Sequence, residues 1–303
     1  GFLASTKYSS SETPIIDPIV TYTLTASTDK IEFPKDDSGY DVAFTTNVDT
    51  WVISSSGTSW ITLNQTSGST GTSAVTITAL ENTGSTERTA TITVNANAVT
   101  PVKISVTQAG VVIPAGELYP KYNTSPIPAD AMGMSSTAAE IAAKINLGWN
   151  IGNSLEATGS ETAWGNPKVT KALIDLVKQS GFNAVRIPSY WNQYLLNSAT
   201  AQIKTEWLDR VKKVIQYCVD NDMYVLVNIH WDGGWLENNV TEATQVENNA
   251  KEKAFWEQIA THCRDFDEHL LFASANEPNV EDATQMAVLT SYHQTFIDAV
   301  RAT

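Results

Sequence analysis

The apolar residues of this chain change period near residue 136, and that change limits what it can fold into. Over residues 21–110, apolar and polar residues alternate singly in short runs such as "TYTLTA", "SAVTITA", "RTATITV" and "VKISVTQAG". A period of two places every second side chain on one face of a strand. Turn sequences such as "DDSG", "TSGSTG" and "NTGS" interrupt the runs, and 32 of these 90 residues are Ser or Thr. Short strands so spaced, with no helical stretch, predict an antiparallel, immunoglobulin-like sandwich of seven or eight strands. Trp51 and Trp60 fall inside strand patterns and are expected in its core.

Residues 136–303 read as strand, loop and helix in repetition. Strands are expected at "INLGWN" (145–150), "FNAVRIP" (182–188), "YVLVNIH" (224–230) and "LLFASAN" (270–276). They are apolar almost throughout, as parallel strands covered by helices are. The first intervening helix is expected to take Asn166 as N-cap, Pro167 as its first residue and Gly181 as its stop. In the next, Leu208, Val211, Val214, Ile215, Cys218 and Val219 recur at helical spacing as one buried stripe. Units of roughly 36 to 47 residues suit an α/β barrel or a doubly wound sheet. "GWNIGNS" runs on into a long loop instead of a tight turn, which argues against a dinucleotide site. Val111 to Ser135 carries Pro114, Pro120, Pro126 and Pro128 without periodicity, and reads as an extended linker holding two domains apart. The expected organisation is an N-terminal tail (1–20), a β-sandwich (21–110), a Pro-rich linker (111–135) and an α/β domain (136–303).

Charge narrows the partners. Nineteen basic against thirty-three acidic residues give a net charge of −14. That balance disfavours nucleic acid and anionic membrane surfaces and suits an uncharged ligand. No apolar run approaches the ~20 residues of a membrane helix. Cys218 and Cys263 lie in helical patterns and are expected as buried small apolar residues, not as a disulfide. The chain opens at Gly1 on a Ser/Thr-rich stretch. That pattern fits a product trimmed of its targeting signal, located outside the cell or on its outer surface. Membrane contact is expected only through a processed N-terminal anchor. Neither a metal nor a cofactor is expected.

Every strand of the α/β region ends in functional groups. Asn150, with Asn153 and Glu156 beyond it, closes the first; Arg186 the second. Asn228 and His230, then Trp231 and Asp232, close the third; Asn276 and Glu277 the fourth. Each has a structural reading when taken singly: an ion-pair partner for Arg186, a core imidazole for His230, a turn residue for Asn276. A carboxylate after a strand is commonly a helix N-cap, but here Asp282 can serve the next helix. Coincidence at the same end of successive strands points instead to a site, because that end of a parallel α/β sheet is where ligands bind. Trp164, Trp191, Trp231 and Trp235 lie in loops beyond the strands. Flat aromatics beside amides and carboxylates suit sugar rings. Trp207 and Trp256 fit helix stripes and are expected in the core.

These stretches carry a resemblance. "GWNIGNSLEATG", "AWGNPKVTKALIDLVKQSGFNAVRIP", "VLVNIHWDGGW", "LLFASANEP" and "YHQTFIDAVRAT" closely resemble glycoside hydrolase family 5, over about residues 136–303. They look most like its endo-β-1,4-glucanases, among them cellulases, xyloglucanases and lichenases. "WITLNQTSGSTGTSAVTITA", "ERTATITVNA" and "ISVTQAG" resemble the BACON domain more loosely. Membership implies a (β/α)8 TIM barrel and a retaining mechanism on a β-glucan polysaccharide. It implies that Glu277 is the general acid/base and that Asn276 binds the 2-hydroxyl of the reacting sugar. It further implies that Arg186 steadies the nucleophile and His230 lines the cleaved-sugar subsite. Asn153, Trp231 and Trp235 are expected to bind substrate; at Trp231 many members carry a second histidine.

A retaining glycosidase needs a second carboxylate about 5 Å from the first. The family places it at the end of strand seven, whereas residues 136–303 supply the first four βα units. Glu281 lies in the loop of Glu277 and cannot substitute. This chain alone is therefore expected not to turn over, and a second chain is expected to carry the C-terminal half-barrel. A non-catalytic glycan-binding protein, using the half-site and the sandwich, is the competing reading.

Overall fold

Alternation of inward apolar side chains builds the N-terminal unit. The computed structural model describes residues 20–128 and 135–303, and the expected N-terminal tail lies almost wholly outside them. The chain divides into two units, one running to Glu81 and resuming over Arg88–Gln108, the other formed by Asn82–Glu87 with Ala109–Thr303.

The first unit has seven strands: β1 (Leu24–Ala26), β2 (Lys30–Phe33), β3 (Ser38–Ser55), β4 (Ile61–Leu63), β5 (Ser67–Ala79), β6 (Arg88–Ala96) and β7 (Val102–Gln108). They form one connected sheet in the order β2-β7-β6-β3-β5-β4, with β1 also paired to β3. The expected two separate sheets are thus joined. The reason is β3, whose 18 residues pair with β1 through Phe44–Thr46 and with β6 through Trp51–Ser55, across an irregularity between Thr46 and Thr50. One edge also departs from the antiparallel expectation, because β2 pairs parallel to β7. Val42, Phe44, Trp51, Ile53, Val75, Ile77, Ile92, Val94, Ile104 and Val106 close over one another in a single core. Each such fully buried side chain contributes about 1.5–3 kcal/mol. Trp51 and Trp60 belong to that core, as the strand pattern requires.

In the second unit α1 (Ala138–Lys144) leads into β8 (Gly148–Asn150), α2 (Lys171–Gln179) and β9 (Ala184–Ile187). A small hairpin, β10 (Leu195–Asn197) and β11 (Gln202–Ile203), precedes α3 (Thr205–Val219). Then follow β12 (Tyr224–Asn228), α4 (Gln245–Cys263), β13 (Leu270–Ala273) and α5 (Ala283–Arg301). The strands pair in parallel in the order β8-β9-β12-β13, and α2, α3, α4 and α5 pack on one another in sequence. A doubly wound sheet reverses its strand order at a switch point; among the described residues this one shows no reversal, an order in keeping with a (β/α)8 barrel. Val185, Ile187, Val225 and Val227 face the helices and are fully buried with Val211, Val214, Ile215 and Phe255. Gly148, Asn150, Ala184, Arg186, Leu226 and Leu271 face the other way, around a concavity of about 310 Å³. Within the described residues β8 pairs only with β9, and β13 only with β12. No helix of the described residues is long and apolar enough to cross a membrane.

Two local expectations are corrected. Helix α2 starts at Lys171 behind the N-cap Thr170, whose hydroxyl accepts from the Leu173 N–H at 3.3 Å. Asn166 does not cap it. The Val169 N–H donates to the Glu161 carboxylate at 2.9 Å and its carbonyl accepts from Arg210 at 2.8 Å, so residues 167–169 are held out of the helix. Gly181 does stop it, at φ +93°. The second correction concerns the linker. Residues 129–134 lie outside the described set, but Tyr119 and Tyr122 pack on the α/β core. The Tyr122 and Asn123 N–H groups donate to Glu257 of α4 at 2.8 and 3.2 Å, and the Ile127 N–H to the Thr303 carbonyl at 3.1 Å. This stretch is a strap on the second unit, not a free spacer.

Candidate active site

The four strand ends meet on Arg186. Its Nη1 donates to Asn150 Oδ1 at 2.9 Å, and its Nη2 donates to Asn276 Oδ1 at 2.5 Å and faces His230 Nδ1 at 3.4 Å. One guanidinium on β9 thus links the end of β8, the residues after β12 and those after β13. Parallel register makes this possible: Asn150 and Leu226 both lie opposite Arg186, and Asn228 lies opposite Ala273. Burial, followed by the positive charge of Arg186, pushes the His230 imidazole below its ordinary pKa, against the opposing pull of Glu156, Glu237 and Glu277. A neutral imidazole accepting at Nδ1 carries its proton on Nε2.

Glu277 stands beside this network with an exposed side chain that makes no hydrogen bond among the described residues. It is not a helix cap. Asp282 takes that role, accepting from the Gln285 N–H at 2.8 Å. The backbone of Glu277 is tied down: its N–H donates to Glu237 Oε1 at 3.0 Å.

Asn153 occupies the left-handed region at φ +59°, with its side chain exposed and its N–H on Glu156 Oε1 at 2.5 Å. Glu156 also takes the Ser154 N–H at 2.9 Å, so this buried acid shapes the loop after β8. Trp231 is 44% exposed and packs edge-on against Tyr190, with centroids 6.3 Å apart. Trp164 is also open to solvent, at 50%.

Two loop tryptophans are engaged within the protein. Trp191 is buried, its indole N–H donating to the Asn228 carbonyl at 3.0 Å. Trp235 has its N–H on Asp232 Oδ2 at 2.6 Å, Lys251 Nζ 4.4 Å over its ring, and Phe255 against its edge. Its polar handle and one of its faces are used inside the protein, so Trp235 anchors a loop.

Asp232 organises that loop. It is 2% exposed, sits at φ +53°, and accepts the N–H groups of Trp191 (2.6 Å) and Asn192 (2.8 Å) as well as that of Trp235. Burial raises its carboxyl to about 6 against these hydrogen bonds. Sequence reading missed Glu237 and the buried Glu161–Arg210 pair, in which Arg210 Nε donates at 2.8 Å. A signal for Glu237 did exist. It lies between apolar Leu236 and Val240, and the next helix starts only at Gln245, so it is neither a cap nor a solvated helix face.

Residues 150–303 match the family described as cellulase (glycosyl hydrolase family 5). Residues 49–109 match the BACON model, described as an N-terminal binding domain. A xyloglucan-specific endo-β-1,4-glucanase of Bacteroides ovatus is 37% identical over 270 residues, which is 84% of this chain and 52% of the relative. The solved Bacteroides ovatus family 5 xyloglucanase with a XXXG heptasaccharide superposes with a TM-score of 0.56 at 33% identity, over 93% of this chain and 63% of that one. A broad-specificity endoglucanase from Ruminococcus champanellensis with bound cellotriose gives 0.50 at 41% identity, over 55% and 54%. The chain spans about half the length of the Bacteroides relative that it matches. Matched by that family model over half of its length, the chain belongs to the cellulase family, glycosyl hydrolase family 5.

Proposed function

We propose that the protein carrying this chain is a retaining, endo-acting β-1,4-glucanase. The observation that carries the reading is the Arg186 guanidinium joined to Asn150, Asn276 and His230, with Glu277 next along the chain. In this reading Glu277 protonates the leaving glycosidic oxygen, then takes a proton from the water that resolves the glycosyl-enzyme intermediate. Asn276, fixed by Arg186, offers its amide N–H to the 2-hydroxyl of the reacting sugar. Neutral His230 lines the same subsite, exposed Trp231 stacks on a neighbouring sugar face, and Asn153 donates at the rim.

The nucleophile comes from further βα units, carried in the same molecule or in a second chain. Glu156 and Glu237, the other carboxylates in the field of His230, are both engaged by backbone N–H groups and are unsuited to attack. The singly paired edges β8 and β13 and the open inner face of Leu226 and Leu271 support closure by such units. The substrate is a β-1,4-linked glucan. Xyloglucan is the first polymer to test, because the relative matched over 84% of this chain is named for it. A polymer of that size does not cross membranes, so the protein works outside the cell or on its outer surface. The burial of Trp51 and Trp60 favours a spacer role for the sandwich over an aromatic sugar platform.

The test is release of reducing ends from xyloglucan and carboxymethyl-cellulose by the full-length protein. Glu277→Gln is expected to lower kcat at least ~100-fold while binding survives, because removing the acid/base forfeits its roughly 10²–10⁴-fold contribution. Undiminished release by that variant would overturn the assignment.

A further inference from the structure

We propose that Glu237 is a positioning residue that fixes the backbone of the acid/base Glu277, an inference resting on the reading of Glu277 just given. Strand β13 ends at Ala273, and Pro278 has no N–H to give. Between them the Glu277 N–H finds the Glu237 carboxylate at 3.0 Å. The carbonyl of the same Glu237 receives the Asn279 N–H at 2.8 Å, and Asn279 Nδ2 donates to Asn238 Oδ1 at 2.6 Å. The clasp therefore grips the acid's loop on both sides of a residue whose φ is already locked. The peptide plane before Glu277 and the one after Pro278 are thus fixed, and with the Pro278 φ locked between them the direction of the Glu277 Cα–Cβ bond follows, and with it the reach of the carboxyl. A carboxylate acceptor makes this bond charge-assisted and about twice as strong as one to a neutral carbonyl.

The clasp is rigid in its own right. Leu236 and Val240 are buried with Val288, Leu289 and Tyr292 of α5, and Ala275 and Val280 of the acid's loop pack on the same cluster. Glu237 is 6% exposed and has no ion-pair partner among the described residues. No cation accounts for burying this charge; the backbone N–H it holds does.

The experiment uses the full-length enzyme with two substitutions. Glu237→Gln keeps an oxygen acceptor, whereas Glu237→Met keeps length and apolar bulk without one. Glu237→Met is expected to lower kcat/KM on xyloglucan about 10- to 100-fold, the range a displacement near 1 Å produces. On 2,4-dinitrophenyl β-cellobioside, whose leaving group departs without a proton, kcat/KM should stay within about threefold of wild type. Glu237→Gln should retain at least roughly a third of wild-type turnover on the polymer. Equal losses on both substrates, or no loss on either, would overturn the proposal. A readout independent of variant folding is the Glu277 amide proton of the wild-type chain, expected downfield and slowly exchanging. Rapid exchange there also overturns it. Failure of the acid/base reading shows separately, as a Glu277→Gln variant that still cleaves xyloglucan at the wild-type rate.

Discussion

Arg186 does what no lysine can. Its fork reaches two amide oxygens and an imidazole at once, whereas an ammonium is a single point of charge. Its neighbours Val185 and Ile187 point to the helix side and carry the core, so the guanidinium contributes to the site more than to the fold. Arg186→Lys is accordingly expected to cut kcat/KM on β-glucan at least ~100-fold, from two charge-assisted bonds worth roughly 1.5–3 kcal/mol each. Stability in denaturant should fall by less than those bonds are worth together, because the lysine ammonium can still donate to one of the two amide oxygens. Initial rates beside an unfolding curve check both halves, and an unfolded variant would show that Arg186 is a structural strut. Tryptophans mark the limit of residue-scale reading. Trp231 and Trp235 are three loop positions from Asp232 or nearer, yet only Trp235 reaches its carboxylate and is partly buried. Which indole finds a buried acceptor depends on the turn between them, where Asp232, Gly233 and Gly234 all have positive φ.

Elements were legible where a periodicity carries them and illegible where one tertiary bond decides. The four parallel strands and the stripe from Leu208 to Cys218 follow from apolar spacing alone. Asn166-Pro167 imitates a helix start, but Glu161 captures the Val169 N–H and delays the helix to Lys171. The same blindness hid Glu237 and left Glu156 a strand-end group without a task, since a carboxylate serving backbone N–H groups leaves no repeat in the sequence. Arg186, His230 and Asn276 showed because each falls at or just beyond the C-terminal end of an apolar run. Helix α1 illustrates an element held by side chains alone. Its seven residues include none that is buried, and a helix so short is unstable in isolation. Thr137 and Glu140 form a capping box at one end. Lys144 and Ser136 bind Glu268, at 2.8 and 2.7 Å to Oε1, and pull that carboxyl down to about 2. A folded value below the ordinary 4.5 means that the stabilisation is present above about pH 4.5 and is lost as pH falls towards 2. Protection factors of the α1 amides should therefore drop across that window, and Glu268→Gln should flatten the response. A pH-independent protection factor in the wild-type chain would dissociate α1 from Glu268.

At the scale of the molecule, the same composition that reads as a Pro-rich linker is also what a strap needs. Proline keeps Tyr119 to Ile127 extended, and an extended chain offers N–H groups that a neighbouring element must satisfy. Glu257, 4% exposed on α4, satisfies those of Tyr122 and Asn123, while Tyr122 adds its hydroxyl to the Thr200 carbonyl at 2.7 Å. Arg264 binds the Ser125 carbonyl at 2.6 Å, and Asn123 binds the Ala302 carbonyl near the end of α5. The strap thus bonds both to α4 and to the residues that end α5. Removing the Glu257 carboxylate leaves two backbone donors without an acceptor, Asn123 being 3% exposed. At about 1–3 kcal/mol for each unsatisfied group, Glu257→Ala should destabilise the second unit by roughly 2–5 kcal/mol. Trypsin reads the strap directly, because Lys121 is the one Lys or Arg between Lys103 and Lys144. Cleavage after Lys121 should be slow in the wild-type chain, fast in Glu257→Ala, and intermediate in Glu257→Gln, whose amide oxygen can still accept one N–H. Equal cleavage rates in all three would mean that the segment is a spacer after all, and that its contacts with α4 add nothing to its stability.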